Sequence, residues 1–218
     1  MMEERQWGHW TFGLFWILAN IVGWTLFVGF AFAAGWLVWT LYEQGGYPRL
    51  LNSEEVRVLL AFAVAGSGWG SILGWLQQLV LKRRLRLEGN RWIWATLIGV
   101  VLYALFDVLI SLSLMAVPFH RASYNLLHGL VAVTPPLALG VAQWYVLRRS
   151  LARAGWWVLA VVLGLWLPGV VFSALASGSN TRVSMLSSPF LEGAAYGVAT
   201  FIVLAVLPQE TADAGLAD

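Results

Sequence analysis

Six long apolar stretches, separated by short polar segments, account for almost the whole chain. They run near residues 10–41, 57–81, 92–117, 126–147, 155–177 and 189–207. About 20 apolar residues in a helix cross roughly 30 Å of hydrocarbon. The pattern predicts an all-α fold, a polytopic membrane helix bundle of six transmembrane helices. The first stretch is long enough to tilt, kink or project from the bilayer. Asn52 and Ser53 stand before the second, with Glu55 spaced for a capping box. Asn125 is placed to cap the fourth, and Ser188-Pro189 reads as a cap followed by proline at the first position of the sixth. Pro135-Pro136 and Pro168 predict kinks in the fourth and fifth helices.

Composition agrees with that reading. The 218 residues are 60% hydrophobic and only 11% charged, against about 25% charge in an ordinary soluble domain. The 14 tryptophans suit membrane interfaces, where an apolar ring and one N–H donor are both accommodated. The absence of cysteine excludes disulfides, thiolate catalysis and iron–sulfur ligation. The amino-terminal MMEERQ is a poor signal-peptide start, and the apolar run behind it is far longer than a signal h-region, so a retained first helix is expected.

Charge sets the expected orientation. Arg5, Lys82, Arg83, Arg84, Arg86, Arg91, Arg148, Arg149 and Arg153 fall on one side of the six spans. Arg49, Arg57, Arg121 and Arg182 fall on the other. The excess of positive charge puts the first side, and both termini, in the cytoplasm. The net charge of +2 resides in short loops, so no nucleic-acid partner is expected.

The stretches also repeat in pairs. Odd helices share Trp-x-x-Ala-x-x-x-Gly, as Trp16/Ala19/Gly23, Trp92/Ala95/Gly99 and Trp157/Ala160/Gly164. Even helices share Gly-x-x-Gln-x-x-Val-Leu, as Gly74/Gln77/Val80/Leu81 and Gly140/Gln143/Val146/Leu147, each followed by a basic pair. The third copy, Gly197/Thr200/Val203/Leu204, carries Thr in place of Gln and no basic pair. The expected organisation is one transmembrane domain of three tandem parallel hairpins, about 6–86, 87–150 and 151–208, with a short cytoplasmic tail at 209–218. Such copies arrange naturally around an axis along the membrane normal. Gly66, Gly70 and Gly74, and again Gly193 and Gly197, form small-residue stripes that let helix backbones approach closely. Gly140-Val141-Ala142-Gln143-Trp144-Tyr145-Val146-Leu147-Arg148 resembles a motif of uncharacterised multi-spanning bacterial membrane proteins. That resemblance implies a bacterial inner-membrane location and no activity. Six helices in three hairpins also bring mitochondrial carriers to mind, but the carrier signature Pro-x-[Asp/Glu]-x-x-[Lys/Arg] is missing from every copy.

Polar side chains inside the apolar stretches are the candidates for function. Asp107 is the one acid deep within a span, roughly 22 Å along its helix from Trp92. Tyr103, Asp107 and Ser111 share a helix face. His128 and Glu192 lie near the same extracytoplasmic side, as does His120. Two readings stand: a polar stripe lining a ligand site, or a structural, hydrogen-bonded acid with first-turn neighbours at helix ends. No metal-ligand spacing is present, and no metal or other cofactor is expected. Gln77, Gln143 and Thr200 occupy equivalent positions and predict a polar ring, read either as a gate or, the favoured sense, as interhelical hydrogen bonding, with Asn20 in the same role. Lys82, Arg83, Arg84, Arg148 and Arg149 are first a topology signal and second a set of candidate lipid head-group contacts. No catalytic motif is found and no lysine lies inside a span, so an enzyme is not expected. The expectation is a small-molecule- or ion-binding transport component with its site near Asp107. The alternative is a structural or assembly subunit of a larger membrane complex, associated with pigment, lipid, a protein partner or further copies of the chain.

Overall fold

The computed structural model describes residues 8–43, 54–85, 87, 89–115, 131–175 and 181–207. Among these the chain is all-helical, with α1 at His9–Glu43, α2 at Glu54–Leu81, α3 at Arg91–Met115, α4 at Thr134–Leu147, α5 at Gly155–Leu175 and α6 at Thr181–Val206. Four of them, α1, α2, α3 and α6, are long and apolar enough to cross a membrane.

Two expectations about helix starts are corrected. Pro135 and Pro136 occupy the first turn of α4 and do not kink it. Proline fits there because a first-turn N–H has no helical acceptor to lose. Pro189 lies inside α6, which begins at Thr181, so Ser188-Pro189 is not its start; the Ser-rich segment ahead of the proline continues the helix. Proline at an interior position removes one backbone hydrogen bond, as Pro168 does in α5. Asn52, Ser53 and Asn125 lie outside the described residues.

Each helix packs chiefly on its neighbours in sequence, and α6 returns to α1, which closes a six-membered ring. Glycines set how closely the walls approach. A methyl group at Gly164 would stand 2.7 Å from the Tyr196 Cα, and one at Gly193 would stand 2.9 Å from the Ile21 Cα. Gly74 lies on Ile93 and Thr96, Gly140 on Val158 and Val161, and Gly197 on Ile17 and Asn20. Any side chain at these positions drives two backbones apart and forfeits the dispersion contacts that hold lipid-facing helices together.

The exterior differs from that of a water-soluble bundle. Asn20, Gln77, Gln78, Thr96, Gln143 and Thr200 are buried alongside an apolar core, while many other leucine, valine, isoleucine and tryptophan side chains stand exposed. The exposed apolar residues recur every four positions, as in Leu14/Leu18/Val22/Leu26 on α1, Ile98/Leu102/Phe106 on α3 and Leu159/Leu163/Leu167 on α5. Apolar stripes of this extent suit contact with lipid. At the ends of α2 and α4 the chain turns tightly. Gln78 donates to the Gly89 carbonyl at 2.8 Å, and Gly89 adopts a left-handed φ of 57°, a conformation glycine takes without steric cost.

Gly164→Val is expected to separate α5 from α6 and to lower the thermal midpoint of the purified protein, at a cost of about 1–3 kcal/mol. Gly29 and Gly35 have open space around them, so Gly29→Ala or Gly35→Ala should leave it unchanged or stabilise by about 0.5–1 kcal/mol. Equal losses at all three positions would show that close packing at Gly164 does not hold the ring.

Candidate functional site

A hydrogen-bonded layer fills the centre of the ring and draws on all six helices. Gln77 Nε2 donates to Asn20 Oδ1 at 2.7 Å and to the Tyr196 hydroxyl at 3.4 Å. Gln77 Oε1 accepts from the Trp92 indole at 3.1 Å, from Gln143 Nε2 at 3.3 Å and from the Thr96 hydroxyl at 3.4 Å. Gln143 Nε2 also donates to Thr96 Oγ1 at 3.1 Å. Gln143 Oε1 accepts from the Trp157 indole at 3.1 Å and from the Tyr196 hydroxyl at 2.8 Å. The Trp16 indole donates to Thr200 Oγ1 at 2.9 Å, and Asn20 Nδ2 closes the set on the Trp16 carbonyl at 2.8 Å. Both glutamine amides use donor and acceptor alike, so a fully buried polar layer is satisfied internally, as an apolar solvent demands.

The same contact occurs three times. Trp16 pairs with Thr200, Trp92 with Gln77 and Trp157 with Gln143. The three indoles meet edge to face, with Trp157 centred 6.0 Å from Trp16 and 5.8 Å from Trp92. Phe12, Leu81, Leu147, Leu151 and Leu204 complete a buried core on the side of the basic loops. This half of the ring is packed solid.

The other half is aromatic. Trp24 and Trp69 cross at 4.5 Å, and Tyr103 lies edge-on to both, at 5.9 Å and 6.3 Å. Phe27 packs on Trp69 at 4.5 Å, and Tyr196, whose hydroxyl enters the glutamine layer, lies 6.3 Å from Trp24. Trp24 and Trp69 are both 1% exposed, yet neither indole N–H has a hydrogen-bond partner among the described residues. Such groups are rare because each costs the desolvation of a donor. Asp107 and Glu192 both act electrostatically on the Tyr103 hydroxyl. Glu192 is half-buried and Asp107 is exposed, so the acids stand at the edge of the aromatic cluster and not inside it. Carboxylates beside indole and phenol rings make a setting for a positively charged group, attracted by the acids and by the ring faces. Phenolic and indole donors in the same place suit an acceptor.

The residues singled out from the sequence sort accordingly. Asp107 stands one turn beyond Tyr103 on α3, and Glu192 one turn before Tyr196 on α6, with Trp24 between the two tyrosines at 5.9 Å and 6.3 Å. Ser111 lies one turn beyond Asp107 on α3, and its side chain, like His120 and His128, lies outside the described residues. Gln77, Gln143, Thr200 and Asn20 join in one layer, in the hydrogen-bonding sense. Among the cations, Lys82, Arg83, Arg148 and Arg149 are exposed. Arg84 is half-buried, over the Phe12 ring at 5.0 Å; burial lowers its pKa from the ordinary value, although an arginine stays charged at any physiological pH. No group of three potential metal ligands occurs among the described residues.

Sequence reasoning missed Trp24, Trp69, Thr96 and Tyr196. The signal was present: Trp24 falls two turns beyond Trp16, Thr96 one turn beyond Trp92 and Tyr196 one turn before Thr200, each on the face of a residue already chosen. The chain matches no protein-family model, no curated protein and no solved structure, so its chemistry has to be read from the site itself.

Gln143→Leu is expected to strand the Trp157 N–H and the Tyr196 O–H, and Gln77→Leu the Trp92 N–H. Each should cost about 1–3 kcal/mol per orphaned donor in detergent unfolding, with Thr200→Val, which strands one indole, at the low end. If all three variants unfold with the wild type, the layer contributes nothing net to stability.

Proposed function

We propose that this chain is an integral membrane protein that binds a small molecule or ion in the outer half of its bundle, as a component of transport. All six helices cross the bilayer as three parallel hairpins, with both termini in the cytoplasm. Support for six spans comes from α4 and α5, which carry exposed apolar stripes of the same kind as the other four helices: Leu137/Val141/Tyr145 and Leu159/Leu163/Leu167. The threefold reading draws on the recurring Trp-to-polar contact and on glycines at matching positions. Gly74, Gly140 and Gly197 each lie against the residue that follows the conserved-spacing tryptophan of the next helix: Ile93, Val158 and Ile17. The nine cations of the basic side support the orientation.

The observation that carries the ligand reading is the outer aromatic cluster. Among the described residues two buried indole N–H groups lack partners, and an acid lies one helical turn from each of the cluster's tyrosines, Asp107 after Tyr103 and Glu192 before Tyr196. Stability alone gives no reason to keep two buried indole donors unpartnered, and acids inside a membrane span mark functional sites more often than structural ones. The carboxylates favour a cationic group and the rings favour an organic one. Asp107, Glu192 and Tyr103 are the contact residues, and the glutamine layer forms the closed floor beneath them. Ser111 and His128 belong to the same proposed site by their place in the sequence.

A second reading, an assembly subunit of a larger membrane complex, draws on α1. Its outer half exposes Phe32, Trp36 and Trp39, at 75%, 69% and 59%, a surface broad enough to seat another polypeptide or a pigment.

Purification in mild detergent, with native mass and absorbance spectra, separates the two readings. A stoichiometric small molecule on the wild type, lost in Asp107→Asn and Glu192→Gln variants of unchanged elution and helicity, is the expected result. A colourless hetero-complex without ligand, indifferent to both substitutions, would reject it in favour of assembly. For topology, single cysteines at Ser150 and at Ser179, the latter outside the described residues, should label from opposite sides of sealed vesicles; labelling from one side would overturn the six-span map.

A further inference from the structure

We propose a second, independent site: an anionic phospholipid occupies the groove between α3 and α4 at their basic ends. This inference needs the chain to sit in a bilayer but does not depend on the outer site. The groove has a volume of about 750 Å³, within the range of pockets that hold small molecules. Its mouth carries one cation from each wall, Arg91 at the start of α3 and Arg149 just past the end of α4. Its floor is apolar, formed by Ala95, Ile98 and Ala142. The alanines make the room. The walls are fixed further in, where a methyl group at Gly99 would stand 3.0 Å from the Leu139 Cα.

Charge complementarity selects the occupant. Two guanidiniums beside a hydrocarbon-lined channel match a ligand with an anionic phosphate at one end and an acyl chain at the other, and basic pockets between helices on the cytoplasmic side are the usual place for such head groups. Trp94 and Tyr145 flank the groove and are 61% and 55% exposed, as rings at the level of lipid head groups are. Arg148 lies over the Tyr145 ring at 4.3 Å and adds a third positive charge at the rim. In the register of the repeated Trp and Gly positions, Phe15 and Trp156 stand where Arg91 stands, and Arg83 and Val206 stand where Arg149 stands. A cation at both positions therefore occurs in the middle hairpin alone, and it is Arg91 that makes the pair. Within the candidate head-group contacts, this distinguishes Arg149, joined by Arg91, from Lys82 and Arg83, which are exposed but do not line the groove.

The test uses the full-length protein, incubated with mixed vesicles of phosphatidylglycerol and phosphatidylcholine, re-extracted in mild detergent and weighed by native mass spectrometry. The expected result is retention of phosphatidylglycerol in preference to phosphatidylcholine. Arg91→Gln/Arg149→Gln should weaken it about 30-fold, the worth of two cations near a membrane surface, while Arg83→Gln changes it little. Ile98→Trp, which fills the floor and keeps both arginines, should also expel the lipid; it carries the test if the double variant does not fold. Equal retention of the two lipids, an equal loss from Arg83→Gln, or retention unaffected by Ile98→Trp would overturn the proposal. Full displacement by inorganic phosphate would overturn it too, marking a free-anion site, as would a co-purifying polypeptide that shields Trp94.

Discussion

Gln77 and Gln143 meet amide to amide at 3.3 Å in the middle of the ring, and the rest of the structure is arranged around what those two side chains need. An amide has two donor and two acceptor positions, and a buried one left unmade costs about 1–3 kcal/mol. Here each is filled by an indole, a hydroxyl or another amide from a different helix. The consequence is mutual. Shifting α1, α2, α3, α4 or α6 by a turn would break hydrogen bonds to two or more of the other helices, and shifting α5 would break the Trp157 bond to Gln143. Apolar packing alone specifies register weakly, because one leucine substitutes for another. The polar layer supplies the specificity that a lipid-facing bundle lacks.

The close approaches follow from the same requirement. Short polar side chains such as Asn20, Thr96 and Thr200 reach across the axis only if the backbones come near, and the glycines at 74, 140, 164, 193 and 197 permit that. The three central tryptophans fill the remaining volume and satisfy their own N–H groups on the polar layer. Packing and hydrogen bonding thus close one half of the ring together.

On the side of that layer away from the basic loops the two demands part. Trp24 and Trp69 are buried as deeply as Trp16 and Trp92, yet their donors are unmatched. The glutamine layer is satisfied among the described residues, and the aromatic cluster beside it is not; the proposed ligand site rests on that contrast. The groove between α3 and α4 is a separate matter, an outward-facing surface feature whose chemistry is set by two arginines.

By itself, the sequence determined the helices and their apolar character, because a period of four and long uncharged runs are local properties of the chain. It also put Gln77, Gln143 and Thr200 in one group, since spacing to Gly74, Gly140 and Gly197 marks them as equivalent, and gave Asn20 the same hydrogen-bonding role. Helix starts were less legible: Pro189 reads as a first-turn residue by local rules, and the interior position it takes depends on the segment before it. Only the tertiary structure decided which donors go unpaired. Trp24 and Trp92 are the same residue type, each in an apolar helix, and although the repeat marks Trp92, nothing in the sequence says what lies opposite either ring. What distinguishes them is the side chain opposite, Gln77 for Trp92 and the Trp69 ring for Trp24, and that pairing exists only once the ring of six helices has closed.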